Sequence, residues 1–288
     1  MTLRESAPAK INLCLFIGPA RAADGRHELV SVMQSLTLAD DLELAPAPSG
    51  TTEDAVLCPG VEGPNLAGAA LAAFRAATGW DAPPQRLTIA KRVPVAAGLG
   101  GGSGDAAAAL RLAARAAGVD DDALLLRLAA GLGADVPAQV RPGRALATGA
   151  GEVVRRLPDG PPLGVLVLPH DGPLSTAAVN READRRGATR DAEALAAALA
   201  AVEGALGALP PDLLVNDLAP LARALEPAVE AAEREAAAAG ADHVLVSGSG
   251  PTVLGLFAGD GGPGRARRAA AALPGREPAA IACEALRT

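Results

Sequence analysis

The sequence predicts an α+β fold built as two layered units, each a largely antiparallel sheet with helices packed on one face. Three observations predict it. Strand-like and helix-like segments interleave along the chain without a fixed repeat. Pro158 to Pro162 interrupts them with proline and glycine, dividing the chain into 1–157 and 158–288. Of the 288 residues 50% are hydrophobic and 20% charged, enough apolar material for two cores and too much for a disordered chain.

The elements follow in order. Ala9 to Phe16 alternates in part and reads as a strand closed by Gly18-Pro19; Leu29 to Leu38 and Asp41 to Ala45 read as two more. A polar stretch, 46–54, leads to the short apolar run 56–58. Asn65 to Ala77 has helical apolar spacing and stops at Gly79, and Leu87 to Ala90 is a strand. The glycine-rich loop Pro94 to Gly104 then feeds an alanine-rich helix that Gly118 ends. A helix over about 121–130 ends at Gly131, and 145–157 reads as a hairpin around Gly149-Ala150-Gly151. Beyond the break come a strand (165–168), three helical stretches to about Ala239, a strand–turn–strand (243–257), a helix (264–273) and a last strand (279–284).

Composition narrows the function. The 26 basic and 33 acidic residues give a net charge of −7, the wrong balance for wrapping a nucleic acid. Phe16, Phe74, Trp80 and Phe257 are the only aromatics besides histidine, leaving few platforms for stacking bases. Cys14, Cys58 and Cys283 have no metal-ligand spacing, and their odd number fits a reducing cytoplasm. The first ten residues lack the apolar region of a signal peptide, and no charge-free apolar run is long enough to span a membrane, so a cytoplasmic protein is expected. Only Lys10 and Lys91 are lysines; the other 24 basic residues are arginine, which singles out both lysines.

The most informative segment is Pro94-Val95-Ala96-Ala97-Gly98-Leu99-Gly100-Gly101-Gly102-Ser103-Gly104, directly before a helix. So much glycine permits positive φ and close backbone approach. Ser103 offers a hydroxyl and a helix cap, and the helix start offers free N–H groups and partial positive charge. Together these suit the phosphates of a nucleotide. The loop lacks the Gly-Lys-Ser/Thr of a Walker A motif, and neither glycine register matches G-x-G-x-x-G. A plain strand-to-helix connection is the alternative. A Ser-His-Asp hydrolase is a weaker rival, since neither Ser103, Ser247 nor Ser249 is flanked as G-x-S-x-G.

The loop, with the alanine-rich helix after it, resembles the ATP loop of the GHMP kinases. Ala7-Pro8-Ala9-Lys10-Ile11-Asn12-Leu13 resembles the N-terminal motif of that family, and Ser247-Gly248-Ser249-Gly250-Pro251-Thr252 its C-terminal glycine motif. Asp24 to Leu29 and Leu132 to Pro137 are similar to the branch whose acceptor is a cytidine-diphosphate-linked methylerythritol. The five motifs run in order from Ala7 to Phe257. The resemblance implies a ribosomal-protein-S5-like N-terminal domain and a ferredoxin-like C-terminal one. It implies transfer of the γ-phosphoryl group of ATP to the 2-hydroxyl of that small-molecule acceptor, in non-mevalonate isoprenoid precursor synthesis. ATP is the implied co-substrate and Mg²⁺ the cofactor, with Ser103 as its one candidate protein ligand. A monomer or homodimer acting without nucleic acid or membrane is expected. A nucleotide-binding protein without turnover, or a kinase of another alcohol, are the alternatives.

Carried over residue by residue, Lys10 and Asp135 are the implied catalytic pair, the first as positive charge at the transferring phosphoryl group and the second as proton acceptor or orienting group. Pro94 to Gly104 is the implied ATP site. Asn12, Arg26, His27, Ser175, Thr176, Ser247 and Gly248 are the implied acceptor-binding residues. Asn12 follows Lys10 by two and shares its strand face. His27 is read as a partner for the base edge, His243 as structural, and His170 as either. Family members carry an aromatic just before the histidine and another beyond the Ser-Thr pair; Arg26 and Asn180 stand there instead. A guanidinium plane is the expected substitute for the missing stacking ring.

Overall fold

The computed structural model describes residues 2–170 and 174–288, and its helices and strands divide between two sheets. The first has six strands: β1 (Leu3–Ala20), β2 (His27–Pro46), β3 (Ala55–Leu57), β4 (Gln85–Ala90), β5 (Arg144–Thr148) and β6 (Val153–Arg156). Their order is β3-β4-β2-β5-β6, with β1 paired antiparallel to β2 and only β3–β4 parallel. The helices α1 (Leu66–Thr78), α2 (Gly101–Ala117), α3 (Asp122–Leu132) and α4 (Val136–Val140) belong to the same half. The second sheet, β10-β7-β9-β8, is antiparallel: β7 (Leu163–Leu168), β8 (His243–Val246), β9 (Val253–Ala258) and β10 (Ile281–Glu284). With it run α5 (Thr176–Arg186), α6 (Ala192–Gly204), a 3-10 turn at Pro211–Leu213, α7 (Ala219–Leu225), α8 (Ala228–Ala238) and α9 (Gly262–Ala271).

Three departures from the sequence reading have physical causes. The segments 29–38 and 41–45 form one continuous strand, β2, because Asp40 is fully buried inside the sheet instead of marking a turn. β1 passes through Pro8 and Pro19, which is tolerable because β2 is its one long partner and its other edge is open to loops. Four α-helices stand between β7 and β8 where three were expected, and the five-residue α4 was not expected at all. The predicted stops at Gly79 and Gly118 do end α1 and α2, each glycine at φ 66°.

The first sheet is covered on both faces, not one. Leu42, Leu44, Leu87 and Ile89 pack with Phe74 of α1 and the alanines of α2 on one side. Ile11, Val32 and Leu36 pack on the other with Val165 and Val167 of β7 and Leu195 and Val202 of α6. Every residue of β1 from Ala7 to Gly18 is therefore buried, which explains why its sequence alternates only in part. Alanine in α2 permits a close approach to β1. A Cβ on Gly104 would stand 2.9 Å from the Pro8 carbonyl oxygen.

Close backbone approach also sets the second layer, where an ideal Cβ on Gly164 of β7 would lie 2.3 Å from the Gly262 carbonyl oxygen at the start of α9. Gly164→Ala is expected to destabilise the fold by about 1–3 kcal/mol through overpacking. Gly131→Ala, inside α3 with nothing within 4 Å, is expected to stabilise it by up to about 1 kcal/mol. Urea denaturation midpoints of the two variants, shifted in opposite directions from the parent, check both signs.

Candidate active site

The open edge of β1 is where the site begins. The Lys10 amide donates to the Leu99 carbonyl at 2.8 Å, which docks the glycine loop against the strand. The loop bends through positive φ at Ala96 (56°), Gly98 (71°) and Gly100 (65°). Only two of these need a missing side chain for space as well. A Cβ on Gly98 would stand 2.4 Å from the Ser247 carbonyl oxygen, and one on Gly100 would stand 2.7 Å from Cγ of Lys10. The Ser247 hydroxyl donates to the Gly98 carbonyl at 3.1 Å, so the two glycine motifs, 149 positions apart, lock onto each other.

Gly100 is the N-cap of α2 and forms no side-chain cap. The first intrahelical bond, Gly104 N–H to Gly100 carbonyl at 2.8 Å, leaves the amides of Gly101, Gly102 and Ser103 ahead of the ladder at the positive end of a 17-residue helix. Ser103 thus lies within the first turn and is not the cap the sequence suggested. Its hydroxyl is an oxygen donor at the mouth of the loop. Among the described residues no group of three or more His, Cys, Asp or Glu could hold a metal ion.

Around the loop lies a cavity of about 820 Å³, ample for a nucleotide and part of a second ligand. Lys10, 4% exposed, sits in its floor. Its Nζ donates to Asn12 Oδ1 at 2.8 Å and lies 3.1 Å from Asp135 Oδ2. Asp135 precedes α4 without capping it, so its carboxylate is free to face Lys10. The turn before it is wedged by the β5–β6 hairpin, where Gly151 abuts the Ala134 carbonyl. A Cβ on Gly248 would lie 3.7 Å from Asn12 Oδ1 and 3.8 Å from Lys10 Nζ, so the second glycine motif closes over the same pair.

Two wings extend from this centre. In one, Lys91 donates to Asp40 (2.5 Å) and Asp105 (2.8 Å), beside Cys58 and Asn65 in the cavity wall. Burial opposes the Lys91 charge, but its bonds to the two carboxylates outweigh it and raise its pKa. Burial pushes the Asp105 carboxyl up to about 6, aided by the Asp40 charge and resisted by Lys91. In the other wing, the Arg26 guanidinium donates to the Ala150 carbonyl at 2.5 Å and His27 Nε2 meets Asp184 Oδ1 at 2.9 Å. Thr176, Asn180, Arg181 and Ser249 line that wing, and the Thr176 and Ser249 hydroxyls are 2.9 Å apart.

The structure thus brings together Lys10, Asn12, Arg26, His27, Asp135, Thr176, Gly248 and the loop from Pro94 to Ser103. Three expected site residues do not line the cavity. Ser175 caps α5 by accepting from the Ala178 amide, Ser247 is fully buried in its bond to Gly98, and Gly104 packs under Pro8. His243 is structural, as expected, held to the Leu214 carbonyl at 2.7 Å. Of the residues around His170, Asp171 to Pro173 lie outside the described residues. The sequence reading missed the Lys91–Asp40–Asp105 cluster, for which the scarcity of lysine was the available signal. It also missed Asn216, whose amide donates to the carbonyls of Val246 (2.8 Å) and Gly248 (2.6 Å) and shapes the second glycine motif.

Asp105 makes stability depend on pH in a defined direction. Its ordinary carboxyl pKa is near 4 when unfolded. Between that value and about 6 the native state holds a proton the unfolded state has lost, so this group's contribution falls as pH rises through the window and is level above it. Asp105→Asn is expected to remove that descent, becoming more stable relative to the parent by about 1 kcal/mol between pH 5 and pH 8. Urea unfolding of both proteins at the two pH values checks the sign.

Comparison with known proteins identifies the family. Residues 65–143 match the GHMP kinases N terminal domain and residues 191–276 the GHMP kinases C terminal family. The chain is 43% identical over 283 residues to a 4-diphosphocytidyl-2-C-methyl-D-erythritol kinase of Anaeromyxobacter dehalogenans, spanning 96% of this chain and 86% of that one. It is 42% identical over 264 residues to the enzyme of the same name from Pelotomaculum thermopropionicum, spanning 90% of each. A crystal structure of 4-(cytidine 5'-diphospho)-2C-methyl-D-erythritol kinase superposes with a TM-score of 0.77 at 34% identity over 98% of both chains. Homoserine kinase from Cytophaga hutchinsonii shares the fold at TM-score 0.72 and 14% identity over 99% of this chain and 95% of that one. Both halves match in order, and relatives above 40% identity run nearly the full length, so the chain belongs to the 4-diphosphocytidyl-2-C-methyl-D-erythritol kinases, a branch of the GHMP kinase family.

Proposed function

We propose that the chain transfers the γ-phosphoryl group of ATP to the 2-hydroxyl of 4-(cytidine 5'-diphospho)-2-C-methyl-D-erythritol, with Lys10 and Asp135 at the reacting atoms. The observation that carries this reading is the Lys10–Asp135 pair, 3.1 Å apart beside the amide-rich start of α2, in a cavity running on to Arg26 and His27. The acceptor oxygen attacks the γ-phosphorus, the bond to the β–γ bridging oxygen breaks, and ADP leaves. Asp135 orients the hydroxyl and takes up its proton. Lys10 and the first-turn amides of α2 stabilise charge on the transferring oxygens. Mg²⁺ suits a site whose loop offers the Ser103 oxygen, with nucleotide phosphates and water as its other ligands; when bound it neutralises phosphate charge.

Lys10→Ala and Asp135→Asn are expected to lower turnover by roughly two to four orders of magnitude. Gly100→Ala pushes a methyl into the Lys10 stem and is expected to slow turnover, whereas Gly131→Ala, away from the cavity in α3 with nothing within 4 Å, is expected to leave it unchanged. A coupled ADP-release assay measures all four, with homoserine and mevalonate as rival acceptors. Turnover of a rival above the cytidine substrate would overturn the acceptor assignment.

The cytidine end has an unusual composition. No Phe, Tyr or Trp lines the cavity among the described residues. The Arg26 guanidinium is anchored at one edge by the Ala150 carbonyl, which leaves its face for the cytosine ring, while His27 reads the polar edge of the base. Stacking of a base on an aromatic is worth about 1–3 kcal/mol, and a guanidinium stacks better than a hydrated ammonium. Arg26→Tyr is therefore expected to retain or improve the affinity for the cytidine substrate, with Arg26→Lys and Arg26→Ala both losing it in direct titrations. Equal affinity in all three would rule out stacking.

A further inference from the structure

Beneath the Lys10–Asp135 pair, β1 and β2 carry a hydrogen-bond chain whose polarity has one solution. An ammonium only donates, so the Asn12 atom 2.8 Å from Lys10 Nζ is the amide oxygen. A backbone carbonyl only accepts, so the Ser31 hydroxyl, 2.7 Å from the Cys14 carbonyl oxygen, gives its proton there. Ser31 Oγ then has only lone pairs left for Asn12, and it is Asn12 Nδ2, 2.8 Å away, that donates to it. Turning the amide over would set its NH₂ against the ammonium and its oxygen against a hydroxyl with no proton to give. The register of β1 against β2 slips between Asn12 and Cys14, at the carbonyl that orients Ser31. Lys10 and Asn12 are 4% and 3% exposed and border the cavity, whereas Ser31 is 0% exposed and does not, so water cannot take the place of its hydroxyl without entering the core.

We infer that Ser31, which does not line the cavity, is a positioning residue for the phosphoryl transfer. Its buried hydroxyl orients the Asn12 amide so that Oδ1 holds Lys10 Nζ against Asp135. Lysine carries four rotatable bonds; Gly100 confines its stem, and Asn12 is the neutral partner that holds its ammonium beside Asp135. Removing the hydroxyl leaves Asn12 Nδ2 buried without an acceptor, frees the amide to turn, and lets the ammonium leave the position the reaction needs. The part of this inference that concerns rate rests on the kinase reading above; the orientation of the amide does not.

The test is a set of Ser31 variants with two kinds of readout. Ser31→Ala is expected to lower kcat on the order of tenfold or more, with KM for ATP and for the cytidine substrate within about twofold of the parent. Ser31→Thr keeps the oxygen and is expected to retain most of kcat. In an Asn12→Ala background, Ser31→Ala is expected to cost nothing further, because Ser31 acts only through Asn12. In nitrogen-15 NMR spectra the Asn12 side-chain amide protons should exchange slowly with solvent in the parent and faster in Ser31→Ala. Losses that multiply in the double variant, a Ser31→Thr enzyme as slow as Ser31→Ala, or an Asn12 amide indifferent to Ser31 would each overturn the inference. A parent protein that does not phosphorylate the cytidine substrate, yet whose Asn12 amide responds to Ser31→Ala, would overturn the substrate reading and leave the positioning role standing.

Discussion

The stem of Lys10 lies where any side chain at position 100 would lie, and much of the site follows from that exclusion. Gly100 must lack a Cβ and must also take a left-handed φ, so it both ends the loop and starts α2. The helix then points its first-turn amides at the place where the lysine ammonium emerges. A backbone bond from Lys10 to Leu99 sets the distance between strand and loop, and a Cβ-free contact at Gly98 sets the distance between the loop and the second glycine motif. Lys10, the glycine loop and the second glycine motif are thereby placed by sterics and a few short bonds.

Lys10 is buried and Lys91 half-buried, and each is compensated differently. Lys91 carries two carboxylates, Asp40 and Asp105, and burial together with the Asp40 charge pushes the Asp105 carboxyl up to about 6. Lys10 has one carboxylate, Asp135, and one neutral oxygen, from Asn12. A single ion pair with a polar rather than a charged second partner leaves the Lys10 centre with no excess negative charge. A second carboxylate there would add repulsion toward a polyphosphate, which the neutral amide oxygen does not. Two thiols are buried as well, and burial pushes Cys14 up to about 11 and Cys283 up to about 12.

The two halves of the chain meet in one apolar cluster. Ile11 and Val32 from the first sheet, Val165 and Leu254 from the second, and Leu195 of α6 are buried together. The cavity therefore lies over a shared core. The wing that holds Arg26 draws on both halves of the chain, Arg26 and His27 from the first and Asn180, Arg181 and Asp184 from α5. The bond between His27 and Asp184 joins the halves across the proposed cytidine end.

Local patterns in the sequence determined most of the elements and most of the site. Glycine stops at 79 and 118, the helix after the glycine loop and the hairpin around Gly149 to Gly151 are decided by residues within a few positions of one another, and all are found where expected. Lys10, Asn12, Asp135 and the loop were legible for the same reason, since each lies in a short ordered motif. Only the tertiary structure decided which polar groups are available. Ser175 and Ser247 look like ligand-binding serines, yet one caps a helix and the other ties two loops together, because their partners come from the fold around them. Asp40 fell in the break between two expected strands and is instead a buried counter-ion to Lys91, 51 positions away. Ser31 gave no signal at all: its role depends on a register slip in the opposite strand and on a carbonyl 17 positions away, and hydrogen-bond direction exists only once the strands are paired.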